Sequence, residues 1–305
     1  MSATQARVPT EPVCVAPTGD RAGEGLVWHA AQAALYWADI NRFLIHRFTL
    51  ADGCVKSWFF DEPVTALVLT DREDLLVVVL GSRVVLWEPA TGALHGTLFR
   101  LEGWPKVRLN DARADPRGSV WVGSMRNNVN PDGSEGKAGG RDGKLYRINP
   151  DGAVSIFRQG IGISNTVAWS PDGRRFYFGD SLANVIWVYD YDAAEGAIAN
   201  ERPFLAGFAR GVPDGSAVDS EGYLWNCRFY GSCVVRVAPD GSVDQIIEMP
   251  AKNITTCAFG GVDLRTLYVT TAASEAPPGD RLAGGLFALH SPVPGVPERH
   301  FQVLG

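Results

Sequence analysis

The 305-residue chain has no apolar run near the roughly 18 residues that a membrane span requires. Its first twenty residues, MSATQARVPTEPVCVAPTGD, lack the apolar stretch of a secretory signal. Together these absences predict a cytoplasmic protein with no membrane partner. There is no surplus of basic residues: the net charge is −6, with no block of like charges. A phosphate backbone needs a basic face, so nucleic acid is not expected as a partner. Cysteine is scarce and unpaired in pattern. Five are present, an odd number, and none forms a CxxC. That excludes a disulfide framework and a thiolate zinc site, and predicts isolated reduced thiols.

Several catalytic signatures are also missing. The five histidines show no HExxH or other ligand spacing. His29 lies close to Glu24 in sequence, but an exposed, non-catalytic position is expected for it. No GxSxG elbow occurs. Gly179-Asp180-Ser181-Leu182 spells an esterase motif, but it lies mid-chain and no DxxH follows to supply a base. No glycine-rich loop follows a strand and opens a helix, so nucleotide binding is not expected.

Long helical patterns are missing as well, and what fills the chain is β-rich and periodic. At 46% hydrophobic and 20% charged it can bury a large core. One strand recurs as LYWAD (35–39), LLVVV (75–79), VWVGS (120–124), FYFGD (176–180), LWNCR (224–228) and LYVTT (267–271), in steps of 40, 45, 56, 48 and 43 residues. A further strand ending in a turn follows most of them, as in LIHRFTLADG (44–53) and KLYRINPDG (144–152). Six units of this length match the blade period of a β-propeller, in which stacking buries both faces of each small sheet. The expectation is an all-β, six-bladed propeller forming one domain over 1–305. Residues 1–18 are read as an N-terminal segment. The polar stretch 126–143, RNNVNPDGSEGKAGGRDG, is read as a long loop beside the site.

The tripeptide PDG occurs five times. Those at 150–152, 171–173 and 239–241 fall between strands, where turns belong, and the one at 131–133 lies in the long loop. Pro213-Asp214-Gly215 is different. Asp214 stands 11 residues before Trp225, and Asp219-Ser220-Glu221-Gly222 already supplies the turn. At the same offset of 11 or 12 residues before the aromatic strand position, other units hold Glu24, Asn110, Asn165 and Thr256. Equivalent residues of a propeller sit at one height around the channel, so Glu24, Asn165 and Asp214 are expected to converge as oxygen donors, with Arg108 and Asn110 on the same rim. Facing carboxylates repel unless neutralised. Oxygen donors suit a hard divalent cation, and three protein ligands leave room for water and substrate. Asp219, by contrast, reads as a turn residue whose loss costs roughly 0.5–2 kcal/mol.

These same residues carry a resemblance. GEGLVW (23–28), RLNDARADPRGSVWVGSM (108–125), ISNTVAWSPDG (163–173), VPDGSAVDSEGYLW (212–225) and TTCAFGG (255–261) resemble the gluconolactonase–regucalcin family of sugar lactonases over essentially the whole chain. The resemblance implies a six-bladed propeller with one divalent metal ion in its channel; Ca, Zn, Mn, Mg and Fe(II) are all admitted. It implies Glu24, Asn165 and Asp214 as metal ligands, Asp214 as general base, and Arg108 and Asn110 as substrate contacts. Where some members carry an acidic pair, this chain has Arg126, Asn127 and Asn128, so the sugar contact there falls to Asn128.

The function expected is metal-dependent hydrolysis of a pentono- or hexonolactone to the aldonic acid in sugar catabolism, by a monomer or weak oligomer. Two other readings stay open at this point. One is a non-enzymatic propeller serving as a binding platform; the other is a lactonase or esterase for non-sugar esters.

Overall fold

The computed structural model describes residues 10–304. It contains six four-stranded antiparallel sheets and, among the described residues, a single 3-10 turn at Ala30–Gln32 as its only helix. The inner strands are Gly23–His29, Val64–Leu69, Val107–Ala114, Ser164–Trp169, Val212–Val218 and Asn253–Gly260. Each packs beside the next in chain order, and the sixth packs beside the first, so the sheets form a closed six-bladed ring. The recurring motif is the second strand of every blade, for example Ala34–Asp39 and Leu224–Phe229.

The core consists of one apolar cluster at each interface between blades. Trp87 joins Val27 and Tyr36 between blades 1 and 2. Trp121 meets Trp169 and Phe176 between blades 3 and 4. Trp37 meets Tyr268 and Leu286 between blades 6 and 1. Each blade thus buries both faces, which a lone four-stranded sheet cannot do.

Two features were not evident from the repeat. Val13–Ala16, within the segment read as preceding the blades, is the outer strand of blade 6, pairing Val13 with Ala288 and Ala16 with Leu286. The first and last parts of the chain therefore share one sheet and close the ring. Residues 1–9 of that segment lie outside the described residues. Secondly, the chain after Ser291 runs across the ends of the inner strands. Val296 N–H donates to Val218 O (3.2 Å), Phe301 N–H to Leu69 O (2.8 Å), and Gln302 N–H to Gly118 O (3.0 Å). Phe301 is buried between blades 2 and 3, and Glu298 pairs with Arg113. This strap covers the end of the ring reached by the last residues of the inner strands.

Candidate active site

Every inner strand carries one residue more than its partner strand. The register slips between Glu24 and Val27, Val64 and Ala66, Leu109 and Ala112, Asn165 and Val167, Pro213 and Ser216, and Ile254 and Cys257. A bulge of this kind twists the strand and re-aims its side chains. Here, five bulges turn a polar residue into one cavity of about 460 Å³: Glu24, Asn110, Asn165, Asp214 and Thr255. Blade 2 contributes none, because Thr65 turns its hydroxyl toward Asn110 O (3.1 Å) and Val79 O (3.3 Å). In blade 6 the spacing indicated Thr256. The bulge instead presents Thr255, and Thr256 packs against Gly215.

The bulge also explains the extra PDG. Gly133, Gly152, Gly173 and Gly241 all have positive φ and close turns, whereas Gly215 does not. Its constraint is proximity: a Cβ there would lie 2.1 Å from Thr256 Oγ1. Asp214 is thus a residue of the channel wall and not of a turn.

Glu24, Arg108, Asn110, Asn128, Asn165 and Asp214 all line the cavity. A continuous hydrogen-bond chain runs through four of them. Asn128 Oδ1 accepts from Arg108 Nε (3.1 Å) and from a terminal guanidinium nitrogen (2.9 Å). The other terminal nitrogen donates to Asn110 Oδ1 (2.5 Å). Asn110 Nδ2 donates to Asn165 Oδ1 (3.1 Å) and Ser164 O (2.7 Å). Asn165 Nδ2 then donates to Ser181 Oγ (2.8 Å). Asn110, expected to touch substrate, has both ends of its amide engaged by protein and fixes Arg108 and Asn165 in place.

Glu24 and Asp214 stand apart from this chain. Among the described residues, Glu24 accepts from the Gly25 amide (3.2 Å) and lies side chain to side chain with Asp214, and no cationic or amide side chain donates to either carboxylate. Burial, with Asp111 beside it, pushes the Glu24 carboxyl up to about 8. Burial and then the Glu24 charge raise Asp214 well above the ordinary carboxylate range. Arg108 is the nearby cation, and burial lowers it to about 10. Two desolvated carboxylates and an amide oxygen, short of positive charge, fit a hard divalent cation.

A second group of possible ligands, Asp20, Asp39 and His46, lies close together but lines no part of this cavity. Its positive charge is already supplied. Arg42 pairs with both carboxylates, and Trp37 Nε1 donates to Asp20 Oδ2 (2.7 Å). Asp39 also accepts from the Arg21 (3.0 Å) and Ala22 (3.3 Å) amides, so the group anchors the chain leading into Glu24.

The loop 126–143 leaves blade 3 and docks on blade 1. Val129 packs on Ile40 and Phe43, and Asn41 Nδ2 donates to Gly133 O (3.0 Å). Glu135, Gly136, Lys137 and Ala138 then form part of the cavity wall. Gly133 has φ +76°, and a Cβ there would lie 2.1 Å from Asn41 O. We expect Gly133→Ala to undock the loop, speed its cleavage in limited proteolysis, and weaken binding of a ligand in the cavity about tenfold, or about 1.4 kcal/mol. A variant with unchanged KM and cleavage rate would show that the docking is not what shapes the cavity.

Two expectations need correction or completion. His29 is buried, not exposed. Its Nε2 sits 3.1 Å from Glu73 O, and it does not line the cavity. The motif frames Ser181 as a nucleophile; in the structure it lines the cavity, its hydroxyl donates to Pro213 O (2.6 Å), and among the described residues no histidine or carboxylate accepts its proton. The cysteines are free, as expected.

A closed six-bladed ring whose inner strands bring two buried carboxylates and three further polar residues into one cavity is the architecture of a propeller enzyme. The chain belongs to the SMP-30/gluconolactonase/LRE-like family, whose pattern matches residues 22–273. It is 36% identical to a pentonolactonase of Haloferax volcanii over 93% of this chain and 96% of that one. It is 32% identical to an L-arabinolactonase of Azospirillum brasilense, covering 94% of each. A calcium-binding regucalcin from Agrobacterium tumefaciens superposes with a TM-score of 0.88 at 28% identity, over 96% of this chain and 98% of that one.

Proposed function

We propose that this protein hydrolyses sugar-acid lactones to the free aldonic acids, with a divalent ion held by Glu24, Asn165 and Asp214. The observation that carries the reading is the pair of buried carboxylates, facing one cavity and hydrogen-bonded to no cationic side chain among the described residues, in a chain whose relatives include lactonases. An ion held there supplies Lewis acidity at the lactone carbonyl.

The remaining work falls to the side chains. Asp214 accepts a proton from the attacking water as the water oxygen adds to the carbonyl carbon; an ion facing its carboxylate would keep it ionised for that role. The ring C–O bond then breaks, and the leaving ring oxygen takes the proton back from Asp214. Arg108 is held by Asn110 and Asn128 and stabilises negative charge developing on the acyl oxygens. Asn128 spends its carbonyl oxygen on Arg108, which leaves its amide nitrogen for a sugar hydroxyl. Ile163, Leu182, Val212 and Phe229 form an apolar wall suited to the C–H face of a sugar ring. The native ion and the particular pentono- or hexonolactone are to be read from a substrate and metal panel.

Chelation is expected to abolish hydrolysis of aldonolactones while leaving the circular dichroism largely unchanged, because the six apolar interfaces supply the burial. Restoring Ca²⁺, Mg²⁺, Mn²⁺ or Zn²⁺ singly should rescue activity to different extents. A chelated protein that remains fully active would remove the metal from the mechanism.

A further inference from the structure

The Gly179-Asp180-Ser181-Leu182 stretch is not a nucleophile motif, yet each of its polar groups is buried and fully engaged. Gly179 pairs across the sheet with Asn165, and a Cβ there would lie 3.0 Å from Asn165 O. Asp180 gathers the amides of Gly162 (2.8 Å), Ile163 (3.1 Å) and Leu182 (3.0 Å), which locks the chain entering the blade-4 inner strand to the chain leaving the second strand. Ser181, 4% exposed, stands between two blades. Its hydroxyl accepts from Asn165 Nδ2 (2.8 Å) and donates to the carbonyl of Pro213, the residue before Asp214 (2.6 Å).

An amide can turn either its oxygen or its nitrogen toward a given point, and its neighbours decide which. Asn165 has two such neighbours. Asn110 offers an N–H on one side, and Ser181 offers an acceptor on the other. The serine can accept because its own proton is committed to Pro213 O. With the hydroxyl absent, the Asn165 nitrogen loses its partner, and the flipped amide, or a mobile one, becomes competitive. Removing a buried acceptor in this way frees the donor it satisfied.

We infer that Ser181 is a positioning residue that holds Asn165 Oδ1 toward the channel and ties it to the strand bearing Asp214, so that the two candidate ligands from blades 4 and 5 are set as a unit. The inference rests on the reading that Asn165 holds the ion. It assigns Ser181 no contact with the reacting atoms. Partners of metal ligands of this kind typically govern affinity by a factor of about 10 to 100.

The test is calorimetric titration of chelator-stripped protein with Ca²⁺ and with Mn²⁺, for wild type, Ser181→Ala, Ser181→Thr, Asn165→Ala and the Ser181→Ala/Asn165→Ala double variant. Ser181→Ala should bind about 10- to 100-fold more weakly, and Ser181→Thr, which keeps the hydroxyl, should bind much nearer to wild type. Glu24 and Asp214 remain in Asn165→Ala, so residual binding stays measurable. The double variant should then be no weaker than Asn165→Ala alone, because the serine acts through the amide. If Ser181→Ala does not fold by circular dichroism, Ser181→Cys, close in size and a poor hydrogen-bonding partner, carries the same expectation. Wild-type affinity in Ser181→Ala, or losses that add in the double variant, would overturn the inference. Failure of wild-type protein to bind either ion, or full affinity in Asn165→Ala, would instead overturn the assignment of the metal ligands, and the inference would fall with it.

Discussion

Asp214→Asn is expected to lose essentially all lactone hydrolysis while raising the melting temperature of the metal-free protein. The two effects have one origin. Asp214 sits buried against Glu24, with Asp111 also nearby, so in the absence of a cation its charge works against the fold. A neutral amide of the same shape relieves that repulsion. It also removes a charged ligand and the proton acceptor. Loss of one general base typically costs a factor of about 10² to 10⁴, and a weakened metal site adds to that. Steady-state hydrolysis, metal content and thermal melting on chelated samples together decide the matter. A variant less stable than wild type when both are metal-free would mean that Asp214 is structurally satisfied. A variant that turns over lactone normally would move the catalytic assignment elsewhere. The opposed signs are the diagnostic feature, since a residue that merely supported the fold would lower both.

The sequence made the second strand of each blade visible because Trp, Tyr, Phe and Val on it face both neighbouring blades, and such residues pattern strongly. Trp37, Trp121 and Trp225 are fully buried members of this set. The polar ring was legible for a related reason: Glu24, Asn110, Asn165 and Asp214 recur at nearly constant distance from that strand. What blurred it was the bulge. One extra residue per inner strand leaves the spacing intact to within a residue but changes which of two neighbours faces the channel, and so Thr256 stood in for Thr255. Ser181 was invisible because its role depends on a carbonyl 32 positions away in another blade. Outer strand Val13–Ala16 was hidden by ring closure, which pairs it with Leu286–His290 across nearly the whole chain.

Asp219 is the residue whose character changed most between sequence and structure, and Asp219→Ala is expected to produce the largest loss of stability. Its place in a turn suggested a modest cost. The carboxylate is in fact wholly buried and takes five donors. One oxygen accepts from the amides of Glu221 and Tyr223 (both 3.0 Å), and the other from Trp225 Nε1 (2.9 Å) and from two nitrogens of Arg236 (3.0 and 2.8 Å). Blade 3 repeats the device at the same spacing. Asp115 binds the amides of Arg117 (2.8 Å) and Ser119 (2.9 Å) and Trp121 Nε1 (2.9 Å), with Tyr191 OH (2.8 Å) in place of the arginine. Such a carboxylate closes the turn and at the same time fixes the tryptophan that fills the blade interface. Removing it strands the indole N–H and unbalances Arg236, although Asp244 and Glu221 still hold part of that guanidinium. Breaking a buried pair from one side costs about 3–5 kcal/mol. For a chain of this size the melting temperature should fall by on the order of 10 °C. Turnover per folded molecule and metal content should stay near wild type, because Asp219 does not line the cavity. A drop of only about 2 °C would return Asp219 to the status of an ordinary turn residue, with the network around it redundant. Loss of the ion from Asp219→Ala, with retention in Asp214→Asn, would show that the ligand of blade 5 lies one turn further along the chain than its bulge indicates.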